Sequence, residues 1–84
     1  MFALGKIICS DEVKKIGMDA IKPFIQSHQA GNFGDIDEKR LRLNRFAVEK
    51  GDSILSRYET EDAAIYVLTV DDRSFTTVFL EDEY

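Results

Sequence analysis

The chain has 84 residues, with one Cys, one His and a formal net charge of −5 at pH 7. That length holds one domain, residues 1–84, since a second could not bury a core of its own; with 44% hydrophobic and 11% aromatic residues the chain is too apolar to stay disordered. The acidic balance repels nucleic acid and anionic lipid on average, Cys9 cannot close an intramolecular disulfide, and no apolar run approaches the roughly 20 residues that span a bilayer.

Phe2 to Cys9 carries Leu4, Ile7 and Ile8 around Gly5 and predicts a short strand. Ser10, Asp11 and Glu12 then supply a hydroxyl and two carboxylates for the free amides and positive end of a helix. Apolar residues recur at helical spacing through Val13, Ile16, Ala20, Ile21, Phe24 and Ile25. Gly17 is a natural stop and Asp19 a natural new cap, which predicts a helix over 11–16 and a second over 20–29, with Pro23 in or beside the first turn of the second. Gln29 to Asp35 reads as a loop, its glycines bracketing the ring of Phe33. Asp35 or Asp37 can cap a third helix over 38–50, which Gly51 ends. Its apolar stripe comprises Leu41, Ala47 and Val48, preceded by Ile36 and widened by Leu43 and Phe46.

Three runs rich in β-branched and aromatic residues close the chain: 53–58, 64–70 and 75–80. Their short polar connections predict an antiparallel meander. The order is therefore β-α-α-α-β-β-β, an α+β domain with helices on one face of an antiparallel sheet that the N-terminal strand joins. With no charged leader and a lone thiol, a reducing cytoplasm is the expected compartment.

Several stretches together resemble a family of short bacterial proteins carried on plasmids and integrative elements and labelled plasmid-related protein. They are Leu4 to Ile8, His28 with Gly31 to Asp35, Asn44 with Ala47 and Gly51, Ile54 to Tyr58, and Asp72 to Thr77 closing on Glu83 and Tyr84. They run nearly end to end. Phe33 stands where the family usually has Trp, and Glu81 where it usually has Pro. The resemblance implies a mobile-element setting and no established activity. Some members bear a restriction-modification subunit M label, which does not suit this chain: a methyltransferase needs a doubly wound cofactor domain with a glycine-rich turn after its first strand.

No Gly-x-Ser-x-Gly elbow, phosphate loop, zinc-ligand spacing or EF-hand spacing occurs, so neither a catalytic residue, a metal nor a cofactor is assigned. His28 is expected near a helix end, capping carbonyls or steadying the following loop, and Cys9 is expected as a small core residue. Phe33 either tucks inward or serves as an exposed binding anchor. Lys39, Arg40, Arg42 and Arg45 form the basic cluster. Lys39, Arg42 and Arg45 are its candidate nucleic-acid contacts, set against partial pairing through Glu38–Arg42 and Arg45–Glu49. Arg73 is expected to clamp the structure by bonding Asp35, Asp52 or a terminal carboxylate. Thr76 and Thr77 must point to opposite faces of their strand.

The acidic residues carry the sharper expectation. If the last strands alternate in direction, Glu59, Glu61 and Asp62 in one turn and Glu81, Asp82 and Glu83 at the tail share one end of the sheet. Such a cluster attracts a basic protein surface, or else serves as a solubilising rim. The expected function is a noncatalytic interaction or regulatory module whose partner is another protein, such as a basic nucleic-acid-handling factor, with a nucleic-acid-binding accessory protein using helix 38–50 as the alternative. The module would act as a monomer or as a homodimer joined through an edge strand.

Overall fold

The computed structural model describes residues 2–84. In chain order the elements are β1 (Lys6–Cys9), α1 (Asp11–Ile16), α2 (Met18–Gln29), α3 (Glu38–Lys50), β2 (Ile54–Glu59), β3 (Ala64–Thr69) and β4 (Phe75–Leu80), with a 3-10 turn over Glu81–Glu83. The sheet order is β1-β4-β3-β2. β2, β3 and β4 form the expected meander, with Arg57 opposite Tyr66 and Tyr66 opposite Phe79. β1 joins parallel to β4, from Lys6 opposite Phe75 to Cys9 opposite Val78, so the sheet is mixed and not antiparallel throughout. Parallel pairing needs a long crossover, and the three helices with the meander supply it.

Alternation along each strand sends Ile54, Ser56, Tyr58, Ile65, Val67, Thr69, Thr76 and Val78 to one buried face. Val13, Ile21 and Ile25 from the first two helices pack on it, while Phe33, Ala47 and Ile54 form a second cluster beneath α3. The opposite face carries half-buried Leu55, Tyr66, Leu68, Phe75 and Phe79. Tyr84 folds over part of it, its ring 5.0 Å from Tyr66 and 5.5 Å from Phe79. Thr76 is buried and Thr77 lies on that second face, as strand alternation requires.

Local chemistry sets the helix ends. Ser10 Oγ accepts from the amide of Val13 at 3.2 Å, which starts α1. Gly17 is the elbow between α1 and α2. α2 begins at Met18, two residues earlier than the cap signal at Asp19 suggested, so Pro23 falls in its second turn. The missing proline amide there faces the carbonyl of exposed Asp19. Asp37 caps α3 by accepting from Arg40 N at 2.7 Å.

α3 lies along the outer edge of β2. Asn44 is fully buried; its Nδ2 donates to the Leu55 carbonyl at 2.7 Å and its Oδ1 accepts from the Leu55 amide at 3.1 Å, as a neighbouring strand would. Only the line through Leu41, Asn44 and Ala47 therefore turns inward. Leu43, Phe46 and Val48 face outward, which corrects their expected place in the apolar stripe; Phe46 is 57% exposed. Farther along the same edge, Arg57 N donates to the Phe33 carbonyl and the Arg57 carbonyl accepts from Asp35 N at 2.6 Å. On the opposite edge of the sheet, Lys6 N donates to the Ser74 carbonyl just before β4 and Ser10 N to the Val78 carbonyl within it, so Ile7 and Cys9 turn their amides and carbonyls to the open side.

Arg73 is the expected clamp, with backbone carbonyls in place of carboxylates. Its Nη1 donates to Asp52 O at 2.6 Å and Val70 O at 3.0 Å, and its Nη2 to Ala47 O at 2.8 Å near the end of α3.

Gly34 has φ 74°, and a Cβ there would run into the Arg57 carbonyl and the Tyr58 ring. Gly17 has φ 100° with nothing within 4 Å of the same added atom. Gly17→Ala should therefore lower the unfolding free energy by about 1–3 kcal/mol through backbone strain alone, and Gly34→Ala by more, since strain and collision add there. Urea unfolding of the two variants side by side checks the order.

Candidate docking site at the acidic end of the sheet

Glu59 pairs with Ala64 at the close of β2, and Ile65 pairs with Leu80 at the close of β4, so the β2–β3 turn and the chain tail meet at one end of the sheet. Thr60 shapes the turn: its Oγ1 donates to the Ala63 carbonyl at 2.7 Å and accepts from the amides of Asp62 and Ala63. That loop leaves Glu61 and Asp62 exposed. Arg57 joins the two acidic segments, with Nη1 2.9 Å from Glu59 and Nη2 3.3 Å from Glu81. These bonds hold the guanidinium charged, Glu59 contributing most and Glu81 next.

The six carboxylates thus divide into two groups. Glu59 and Glu81 share Arg57. Glu83 accepts from the Leu80 amide and from Ser10 Oγ, both at 2.8 Å, and these bonds keep its carboxyl below the usual range. Glu61, Asp62 and Asp82 form no ion pair among the described residues. Arg57 was not legible as a partner in the sequence, although its position two residues before Glu59 on one strand face is the signal that could have found it. No group of three or more His, Cys, Asp or Glu side chains among the described residues is arranged to hold a metal ion.

Phe33, a candidate anchor, is only 5% exposed and packs with Ala47 and Ile54. It is a core side chain; the two backbone bonds from its loop to Arg57 turn the ring inward. The basic candidates Lys39, Arg42 and Arg45 are exposed on α3. Glu38 and Arg42 approach at 3.9 Å, whereas Arg45 and Glu49 form no ion pair. Arg40 is drawn out of the cluster by bonds to Asn44 Oδ1 and the Ser53 carbonyl.

His28 does not cap carbonyls. It is fully buried in the last turn of α2, with Nδ1 2.6 Å from Ser56 Oγ and Nε2 2.9 Å from Thr69 Oγ1. Thr69 Oγ1 lies 2.7 Å from Thr76 Oγ1, which donates to the Leu4 carbonyl at 2.7 Å. A carbonyl can only accept, so the direction of the chain from Leu4 back to Nε2 follows. Thr69 donates to Thr76 and Nε2–H donates to Thr69; burial keeps the ring neutral near pH 7, so its other nitrogen, Nδ1, accepts from Ser56. Both ring nitrogens are occupied, so Cys9 and His28 form no dyad; Cys9 Sγ instead lies 3.8 Å from Met18 Sδ, and burial pushes its thiol up. Polar Ser56, Thr69 and Thr76 at inward strand positions were the sequence signal for this network.

No protein-family model matches the chain, and neither a curated protein nor a solved structure matches it. Within the described residues no helix is long and apolar enough to cross a membrane.

Burial, and next the nearby Arg73 charge, push His28 down from 6.5 to about 4. The unfolded ring takes up a proton below pH 6.5 and the folded ring does not until about pH 4. The stability from the neutral ring is complete above pH 6.5 and is lost as pH falls to about 4, a decrease of roughly 3 kcal/mol. As the chain has one His, His28→Gln should lower stability at pH 7 and flatten the dependence between pH 6.5 and 5, as read by urea unfolding at several pH values.

Proposed function

We propose that this domain is a noncatalytic docking module that binds a basic protein through the acidic end of its sheet. The observation that carries the reading is the meeting of two acidic segments at one end, where Glu61, Asp62 and Asp82 have no pairing cation among the described residues. Uncompensated carboxylates on a rigid rim raise a local negative potential that steers and orients a cationic surface. The partner class is a basic nucleic-acid-handling factor, and the setting is the cytoplasm of a cell bearing a mobile element, in line with the family resemblance. The paired carboxylates serve a different end. Arg57 with Glu59 and Glu81, and Glu83 with Ser10, hold the turn and the tail so that the other three project.

A second reading, nucleic-acid contact through α3, draws on Lys39, Arg42 and Arg45 standing beside exposed Phe46. It competes with the net charge of −5.

A lysine oligomer of about ten residues should bind at low ionic strength and be released by salt. The triple variant Glu61→Gln, Asp62→Asn, Asp82→Asn should bind it on the order of tenfold more weakly, with an unchanged unfolding midpoint. Fluorescence anisotropy reads the difference, and equal binding by the variant removes the docking reading. Filter retention of labelled DNA or RNA tests the second reading: salt-sensitive retention that Arg42→Glu or Arg45→Glu abolishes would support it, and none at low salt removes it.

A further inference from the structure

Beside the acidic end, a cleft of about 610 Å³ opens between the α1–α2 side of the domain and the β2–β3 turn and tail. Its wall is apolar: Ile16, Ala20, Phe24, Ile65 and Leu80 line it. Ile65 lies fully buried at the bottom, and Ile16, 46% exposed, stands at the lip. Charge sits on the rim. Glu12, Asp62 and Asp82 border the opening with one ammonium, Lys15, which is already 3.1 Å from Glu12.

We infer that this cleft receives a large apolar side chain from a basic amphipathic segment of a partner protein, while lysines or arginines flanking that side chain meet the rim. The inference rests on the reading of the acidic end as a docking surface and names what docks there. Two features select this occupant. An apolar wall of this size has room for a leucine, methionine or phenylalanine side chain, and burying one stabilises a complex more than a rim charge does. The carboxylates continue past the mouth of the cleft, through Glu61 on the turn and Glu59 and Glu81 around Arg57. A ligand bearing one cation would meet only part of that field; a helical segment with cations three and four residues from an apolar anchor spans it. Asp62 and Asp82 are free to pair with those cations, since neither has an ion-pair partner among the described residues.

The test uses the full chain and two synthetic peptides of about 18 residues, five helical turns. One carries leucines along one face and lysines on the rest; the other keeps every lysine and replaces each leucine by serine. Anisotropy at one fixed ionic strength should show the leucine peptide binding at least about tenfold tighter, the gain expected from one buried leucine. Ala20→Trp, at an exposed helix position, fills the cleft and should erase that preference while leaving serine-peptide binding unchanged. Ile16→Ser, at the lip, should reduce it several-fold and serves where the tryptophan variant does not fold. Equal affinity for the two peptides overturns the inference and leaves the acidic docking surface standing. A leucine preference that survives both substitutions also overturns it, since the apolar contact then lies elsewhere. Binding of neither peptide at low salt overturns both readings.

Discussion

One neutral imidazole ties this small fold together. His28 hangs from the last turn of α2, and the hydrogen-bond chain through Ser56, Thr69 and Thr76 to the Leu4 carbonyl links that helix to β2, β3, β4 and the segment leading into β1. Elsewhere in the core, apart from Asn44 at the β2 edge and the Tyr58 hydroxyl, which donates to the Asn32 carbonyl, contacts are mainly apolar and adjustable. Here the order from the Leu4 carbonyl back to Nε2 is dictated by the carbonyl, and the neutral ring sets the Ser56 bond. Buried polar groups stabilise a structure only when all are satisfied, and no buried side-chain nitrogen or oxygen among the described residues lacks a partner. Phe2 and Phe33 stand edge-on to the ring at 5.2 and 6.2 Å and keep water from it.

The network fixes the sheet, and the sheet fixes the charge. With β2, β3 and β4 held in register, the β2–β3 turn and the segment after β4 fall on one side, which is why residues about twenty positions apart share one acidic end. Arg57 lets this happen at close range. Without that guanidinium, the carboxylates of Glu59, at the end of β2, and Glu81, just past β4, would stand at the same end of the sheet uncompensated. Of the carboxylates outside this arrangement, Asp62 and Asp82 stand at the mouth of the apolar cleft.

Much of the architecture was legible in the sequence because it rests on short-range signals. Period-two runs gave β2, β3 and β4, the Ser10 and Asp37 caps gave helix starts, and the direction of the meander gave the shared acidic end. What escaped depends on tertiary placement. The parallel course of β1 follows from where the helices return the chain, which no local pattern encodes. Leu43, Phe46 and Val48 have helical spacing suited to burial, yet α3 runs beside an edge where a line of three residues is all that fits. Asn44, polar and mid-helix, proved to be the contact residue because its amide imitates a strand. His28 was placed rightly near a helix end, but its partners come from three strands that sequence distance keeps apart. Arg73 was foreseen as a clamp; that it grips carbonyls follows from its reach to the end of α3.

The two borders of the sheet are unlike. The β2 border is sealed by the Asn44 amide and by the loop from Phe33 to Asp35, while the β1 border presents the backbone of Ile7 and Cys9, unpaired among the described residues. Any strand-to-strand joining of copies has only one side to use, so it is complete once two chains have met. A sheet with two open borders can go on adding subunits into a fibre; this one has its growth terminated in advance by a single asparagine and a short loop.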